Sequence, residues 1–505
     1  MASSIPPSLS RRQVVAGGAA AAAIAATSAN ATAQGLAYTG GATRVAPLAR
    51  LRRTSLAVTL LQRASFGHTE SDLAEVETRG LHGWLDWQLE PNLIDDSSLN
   101  NRLASFDWLN WSAQQMEDHP TLEGWEIAHE LRAVRLLRAT YSKRQLFERI
   151  VEFWTDHFNI YGTADGVDVL KAAEDRDVIR THALGKFRDM LHASAKSAAM
   201  IAYLDNDNNE VGAPNENYSR EVMELHTLGV NGPYNEEDVR ELARCFTGWS
   251  YWKSWQTNTQ YGEFRFRSSN HDTGPKTVLG INVPANGGVE DAEMILDHLA
   301  SHPSTIDHVT RKLARWLIGY DPEPRVIARA KSVWTNTDGD IKEVVRILLQ
   351  PGFLLHTTPK LKRPFHWIVS LFRATQVDLN QPMDTIWQIW GLGQVPYQWP
   401  APNGYPDSAE AWGSGMQPRW VQSSQFGNGW YWSTGHTIND WPALLAGAPK
   451  SGWAARLNEI FCGGGMSVED EDLLQGYLDT FNNPTNVAIG EAFELAASCP
   501  SFMYY

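Results

Sequence analysis

The chain has 505 residues, with 43 Lys and Arg against 58 Asp and Glu, for a formal net charge of −15. That balance excludes the broad basic surface on which nucleic acid or an anionic bilayer would dock. Its cysteines, Cys245, Cys462 and Cys499, show no C-x-x-C spacing, which speaks against thiolate-bound zinc and attached haem.

In chain order, Arg11-Arg12 stand ahead of an uncharged Ala/Gly-rich run, 14–26, too short to anchor in a bilayer. Ala31-Thr32-Ala33 then offers the small residues a signal peptidase reads. Residues 1–33 therefore read as a twin-arginine signal peptide, and the mature chain is expected to be periplasmic or secreted. That route carries proteins already folded, which strengthens the case for a cofactor inserted before export. Residues 34–50 are small, polar and aperiodic, a linker. No later run reaches the roughly 18 apolar residues of a membrane span.

From residue 51 the pattern turns helical. Thr69 caps a helix that ends at Gly80, and 81–89 forms another. Ser142 caps 143–158, where Leu146, Ile150, Phe153 and Trp154 recur at three and four. The same spacing predicts helices over 186–203, 217–228, 236–249, 292–299, 305–317 and 341–349. Alternation in 261–266, together with 277–279 ahead of a glycine, predicts one small β-hairpin. The Pro/Gly/Trp/Tyr-dense stretch 391–415 predicts a rigid irregular loop of the kind that is usually functional. The expected fold is one mainly α body over 51–505 with a small inserted hairpin. Its 21 tryptophans lie largely at helical spacing, as packing anchors would. Stacking on sugar rings is the functional alternative.

Three clusters carry chemistry. In Phe153-Trp154-Thr155-Asp156-His157-Phe158 an acid adjoins an imidazole in an apolar setting, which suits a metal ligand, a general base or a buried core histidine. In 203–229, Asp205, Asp207 and Asn209 alternate as in a calcium loop, and Glu216 falls where the closing acid would be. Glu210 replaces the glycine that an EF-hand needs for its sharp turn, so another oxygen-held cation fits better. Asn217, Arg220, Glu221 and Glu224 then share a helix face, as either a site or an Arg–carboxylate network. The third cluster, Asn270-His271-Asp272-Thr273-Gly274-Pro275-Lys276, presents polar groups on a stiff loop.

These segments resemble the large exported bacterial family of unknown function numbered eighteen hundred. Arg63-Ala64-Ser65-Phe66-Gly67 opens the series, and the three clusters follow in order. Phe246-Thr247-Gly248-Trp249, Arg311-Lys312-Leu313, Gly339-Asp340-Ile341 and Lys362-Arg363-Pro364 continue it over nearly the whole mature chain. The resemblance implies export and a neighbouring sulfatase-like exported protein as partner, and names no reaction. Asp156 departs from the Asn or His that the family often carries there.

Two functions are expected from these residues. One is a metal-dependent hydrolase acting on an envelope or extracellular substrate. His157, Glu221, His271 and Lys276 would be its catalytic groups, Asn215, Asn217 and Arg220 would bind substrate, and Asp205, Glu216 and Glu224 would hold a divalent metal. The other is a non-catalytic partner that binds glycan or protein for a neighbouring exported enzyme.

Overall fold

Helix starts are written in local chemistry. The Ser55 hydroxyl accepts from the Val58 amide at 3.2 Å and opens the helix Leu56–Ala64. Thr69 and Asp72 form a reciprocal capping box for Glu70–Gln88, which Gly80 (φ 71°) breaks where the sequence predicts one helix to end and the next to begin. The computed structural model describes residues 51–256, 259–427, 436–437 and 441–505; the expected signal peptide and linker lie outside them. Residues 51–505 form one compact unit.

The architecture is mainly α with small antiparallel strand pairs. At its centre, every residue of Pro364–Ala374 is buried, the pattern of a helix covered on all sides. It packs against Gly124–Tyr141, itself joined to Gln145–His157. Among the described residues, no helix is long and apolar enough to cross a membrane.

The predicted helix 186–203 is two helices, Phe187–Lys196 and Ala198–Tyr203, because the Ser197 hydroxyl starts a new cap. The predicted helix 217–228 begins as Asn217–Glu221 and widens into a π-helix over Val222–His226. The single expected hairpin is replaced by separate pairs. Gly248 (φ 81°) turns the chain out of the helix Glu236–Phe246, so Trp249–Tyr251 becomes a strand against Phe264–Phe266. Lys276–Val278 instead pairs with Ile281–Val283 across Leu279 and Gly280, both at positive φ (53° and 78°), the conformation of a type I′ turn. Trp84, Trp154, Trp249 and Trp367 are fully buried packing anchors, whereas Trp125, Trp255, Trp387 and Trp420 are exposed.

Candidate functional site

The helix Gln145–His157 buries its apolar face, but it also buries Glu148, Arg149, Glu152 and His157. Each charge has a partner. Glu148 takes Arg135 at 2.9 Å and Arg180 at 2.5 Å, and Arg149 reaches Glu152 at 2.7 Å. Arg363 then spans Glu152 and Asp156, both at 2.5 Å. Burial raises the Asp156 carboxyl in spite of Arg363.

His157 closes the helix inside an aromatic box, with ring centroids 5.9 Å from Phe153, 5.2 Å from Trp154 and 4.7 Å from Phe158. Its Nε2 lies 3.0 Å from the His226 carbonyl and its Nδ1 lies 2.9 Å from Lys312 Nζ. A carbonyl only accepts and an ammonium only donates, so the ring is the neutral tautomer protonated at Nε2. Burial, then Lys312, His226 and His308, hold this imidazole well below its ordinary pKa. The His226 and His308 rings stand 6.2 and 6.3 Å away. Burial takes them down to about 3 and about 4, so both are neutral as well. His226 is fully buried at the end of the π-helix, and neither of its ring nitrogens has a hydrogen-bond partner among the described residues.

Lys312 is the cation at this junction. It projects from the helix Pro303–Leu317, and burial lowers its amine to about 8 against the opposing pull of Asp156 and Asp407. No described carboxylate forms an ion pair with it; its partner is the neutral His157 ring. On one side is a cavity of about 210 Å³ lined by Asp156, His157, Arg315, Asn403, Tyr405 and Asp407. On the other is a groove of about 660 Å³ lined by Asn231, Ser304, His308 and Arg311 among others. Lys312 and Arg315 line both.

The roof of the smaller cavity is the expected rigid loop, pinned from below. Asn159 donates to the carbonyls of Trp399 at 3.0 Å and Ala401 at 2.7 Å, and Tyr203 donates to Pro400 at 2.7 Å. Gly404 (φ 70°) lies so close to the Asp156 carbonyl that a Cβ there would collide with it. Lys360 fixes Asp407 at 2.7 Å.

The other residues picked out by sequence lie elsewhere. His271 sets Nδ1 against the Thr247 carbonyl at 2.8 Å and Nε2 against Asp291 at 3.2 Å. Lys276 reaches the same Asp291 oxygen at 2.6 Å. All three side chains are buried in a closed clamp on the helix Glu290–Ser301. Arg220 is held by Glu216 at 3.2 Å, Glu224 at 3.7 Å and Glu236 at 2.7 Å, so two of the expected metal ligands neutralise one guanidinium. The Asn215 and Asn217 amides donate to the backbone carbonyls of Asp205 and Leu204, and Asp205 sits on an exposed turn at φ 56°. Asp207 pairs with Lys253 at 2.5 Å. Glu221 is half-buried, its carboxyl raised by burial and by Glu224. Among the described residues no three His, Cys, Asp or Glu side chains come together to hold a metal.

The first and second clusters thus meet through the His226 carbonyl, and the third touches the second where the Asn270 carbonyl accepts from the Val211 amide at 2.8 Å, while its His271 and Lys276 side chains form their own clamp. Sequence reasoning passed over His226, His308, Lys312, Arg363 and Asp407. Lys312 and Arg363 lie in segments quoted for the family pattern, and His308 precedes Lys312 by one helical turn, a spacing that could have flagged both.

The family described as "Protein of unknown function (DUF1800)" matches residues 59–504. No curated protein and no solved structure matches the chain.

Proposed function

Starting from a chain that belongs to the DUF1800 family of proteins of unknown function, we propose that it is an exported hydrolytic enzyme. Lys312 and His157 would be its proton-handling pair, and its substrate would carry an anionic group. One observation carries this reading. Lys312 is a largely buried cation at the meeting of two cavities, hydrogen-bonded to a neutral imidazole instead of a carboxylate. An amine brought down to about 8 is partly neutral near physiological pH and can accept a proton from an attacking water. A base so placed contributes ~10²–10⁴-fold to rate. His157 fixes the direction of the amine, because its Nδ1 accepts from Lys312 while Nε2–H is committed to the His226 carbonyl. Arg315, whose side chain among the described residues donates to the Asp407 carbonyl alone, from Nη2 at 3.2 Å, presents its remaining guanidinium donors to an anion at the cavity mouth.

This reading moves the substrate-binding role from Arg220, already held by three carboxylates, to Arg315 and Lys312. The sulfatase-like partner implied by the resemblance would act on related sulfated or phosphorylated material outside the cytoplasm. A glycan-binding role has one feature in its favour: Trp387, 61% exposed, stacks on Trp390 with ring centroids 5.7 Å apart.

The test is calorimetric titration of the full chain with inorganic sulfate and phosphate, followed by turnover assays on phosphate, sulfate and carboxylate esters. Binding that disappears in Arg315→Met, and turnover that disappears in Lys312→Met, would support the proposal. A wild-type protein that neither binds these anions nor turns over any of the esters would overturn it.

A further inference from the structure

Arg63, the first residue of the Arg63-Ala64-Ser65-Phe66-Gly67 segment, stands in the last turn of the helix Leu56–Ala64 and is only 2% exposed. A single hydrogen bond holds its guanidinium, from Nη2 to the Thr358 carbonyl at 2.6 Å, and the centroid of the Tyr505 ring lies 4.8 Å away. The pairing of 360–362 with 503–505 fixes that ring: the Lys360 amide donates to the Tyr505 carbonyl at 2.9 Å, and the Tyr505 amide donates back at 3.0 Å. Nε and Nη1 of Arg63 have no hydrogen-bond partner among the described residues, and no described carboxylate forms an ion pair with it. Buried charges are ordinarily paired. Arg149 and Arg363, equally buried, each hold Glu152. Burial brings the Arg63 guanidinium down to about 10 against the pull of Tyr505, and Arg149 adds to the fall.

Beside Arg63 is a cavity of about 330 Å³, within the size range of small-ligand sites. It shares no lining residue with either space beside Lys312. Three arginines line it, Arg52, Arg53 and Arg63, and no Asp or Glu does. Arg52 is held by Glu471 at 2.6 Å, whereas the exposed Arg53 has no partner among the described residues. The Gln62 amide and the Tyr504 hydroxyl also line the cavity, both half-buried, and neither makes a hydrogen bond among the described residues. Leu354 and Leu355 give it an apolar stretch. The cavity therefore gathers two cations without counter-ions, two uncommitted polar groups and an apolar surface.

We propose that this cavity is a second binding site, for a small organic oxyanion whose carboxylate or phosphate group is taken by Arg63 and Arg53 and whose carbon body lies on Leu354 and Leu355. Guanidinium groups suit that chemistry because their planar donors match the oxygens of carboxylate and phosphate. The anion supplies Arg63 with the counter-charge that the surrounding side chains do not, and Gln62 and Tyr504 add neutral hydrogen bonds at the same wall. A ligand that binds only the folded chain stabilises it, so occupancy raises the unfolding temperature. The site stands apart from the Lys312–His157 pair and does not depend on its chemistry.

The experiment titrates the full chain calorimetrically with benzoate and with phenyl phosphate, in the Arg315→Met variant so that the Lys312 cleft does not contribute. At least one probe should bind and raise the unfolding temperature, and which of the two binds tells a carboxylate ligand from a phosphate. Adding Arg63→Met should weaken that binding about tenfold or more, the factor a charge-assisted hydrogen bond carries. Gln62→Glu puts a carboxylate into the cavity itself. It should weaken binding as much and raise the unfolding temperature without ligand, and it keeps the test decisive if Arg63→Met does not fold. Neither probe binding, or binding that Arg63→Met and Gln62→Glu both leave unchanged, would overturn the proposal.

Discussion

Replacing Lys312 by Met should make the protein more stable while abolishing anion turnover. Burial brings the Lys312 amine from 10.5 to about 8, so below pH 8 the fold holds a charge that water would hold more favourably. At about 1.36 kcal/mol per pKa unit, that difference costs about 3 kcal/mol. Methionine fills similar space without the charge, but it leaves His157 Nδ1 without its donor, a loss of about 1 kcal/mol. The expected net gain is about 2 kcal/mol at pH 6. The sign follows from linkage. Between the folded value near 8 and the unfolded value of 10.5, the native lysine releases its proton while the unfolded chain keeps it. Wild-type stability therefore rises through that window, and with the lost His157 hydrogen bond counted the advantage of the variant vanishes at about pH 10. Urea midpoints from tryptophan fluorescence at pH 6 and pH 10 measure both limits. A Lys312→Met protein less stable than wild type at pH 6 would refute the reasoning, because the ammonium would then be a folding contact and not a strained functional group.

Arg363→Met should cost about 3–5 kcal/mol, since it leaves Glu152 and Asp156 buried with their shared cation gone; a loss under about 1 kcal/mol in urea unfolding would show that water replaces the guanidinium. Gly404→Ala combines a left-handed backbone, worth about 1–2 kcal/mol, with a collision against the Asp156 carbonyl. It should lift the 391–415 loop and speed its limited proteolysis, and an unchanged cleavage rate would mean the loop seats some other way. Burial alone would raise the Glu148 carboxyl, but Arg180, Arg135 and Arg138 together bring it from 4.5 to about 2. Its contribution, about 3 kcal/mol by the same conversion, is present above pH 4.5 and lost as pH falls towards 2. Glu148→Gln should therefore be much less stable than wild type at pH 6 and nearly equal to it at pH 2.5, as read by acid-titrated unfolding midpoints.

What the sequence discloses is what local spacing controls. Leu146, Ile150, Phe153 and Trp154 recur at helical intervals, and they form the buried face of Gln145–His157. Thr69 and Gly80 mark a start and a break because capping and positive φ are properties of a few neighbouring residues. Strand partners were less legible. The short apolar stretch at Trp249 reads equally as a helix end or a strand, and only the Gly248 turn and the burial of the indole decide it. The site was legible where a residue type is unusual for its surroundings, as with His157. Lys312 was invisible because a lysine on an amphipathic helix normally faces water, and what distinguishes it is burial beneath a loop some ninety residues further on. Conversely, the dense polar run 203–229 looked rich in ligands because composition does not reveal that Asn215, Asn217 and Arg220 are already committed to neighbours.

The ionic ladder beneath the site gives the last reason to look at Lys312. Along Gln145–His157 each buried cation meets an anion: Arg135 and Arg180 on Glu148, Arg149 on Glu152, Arg363 on Glu152 and Asp156. Such pairs repay the desolvation of their charges only when geometry and pairing are nearly complete. The ladder ends at His157 and Lys312, where a cation meets an imidazole and two open cavities instead of a carboxylate. An arrangement that satisfies every charge up to that rung and leaves the next one facing a cavity supports the proposal that an anion enters there. If sulfate raises the pKa of Lys312 on binding, as an added negative charge must, the pH 6 stability gap between wild type and Lys312→Met will close with sulfate concentration. A gap indifferent to sulfate would place the anion somewhere other than this rung.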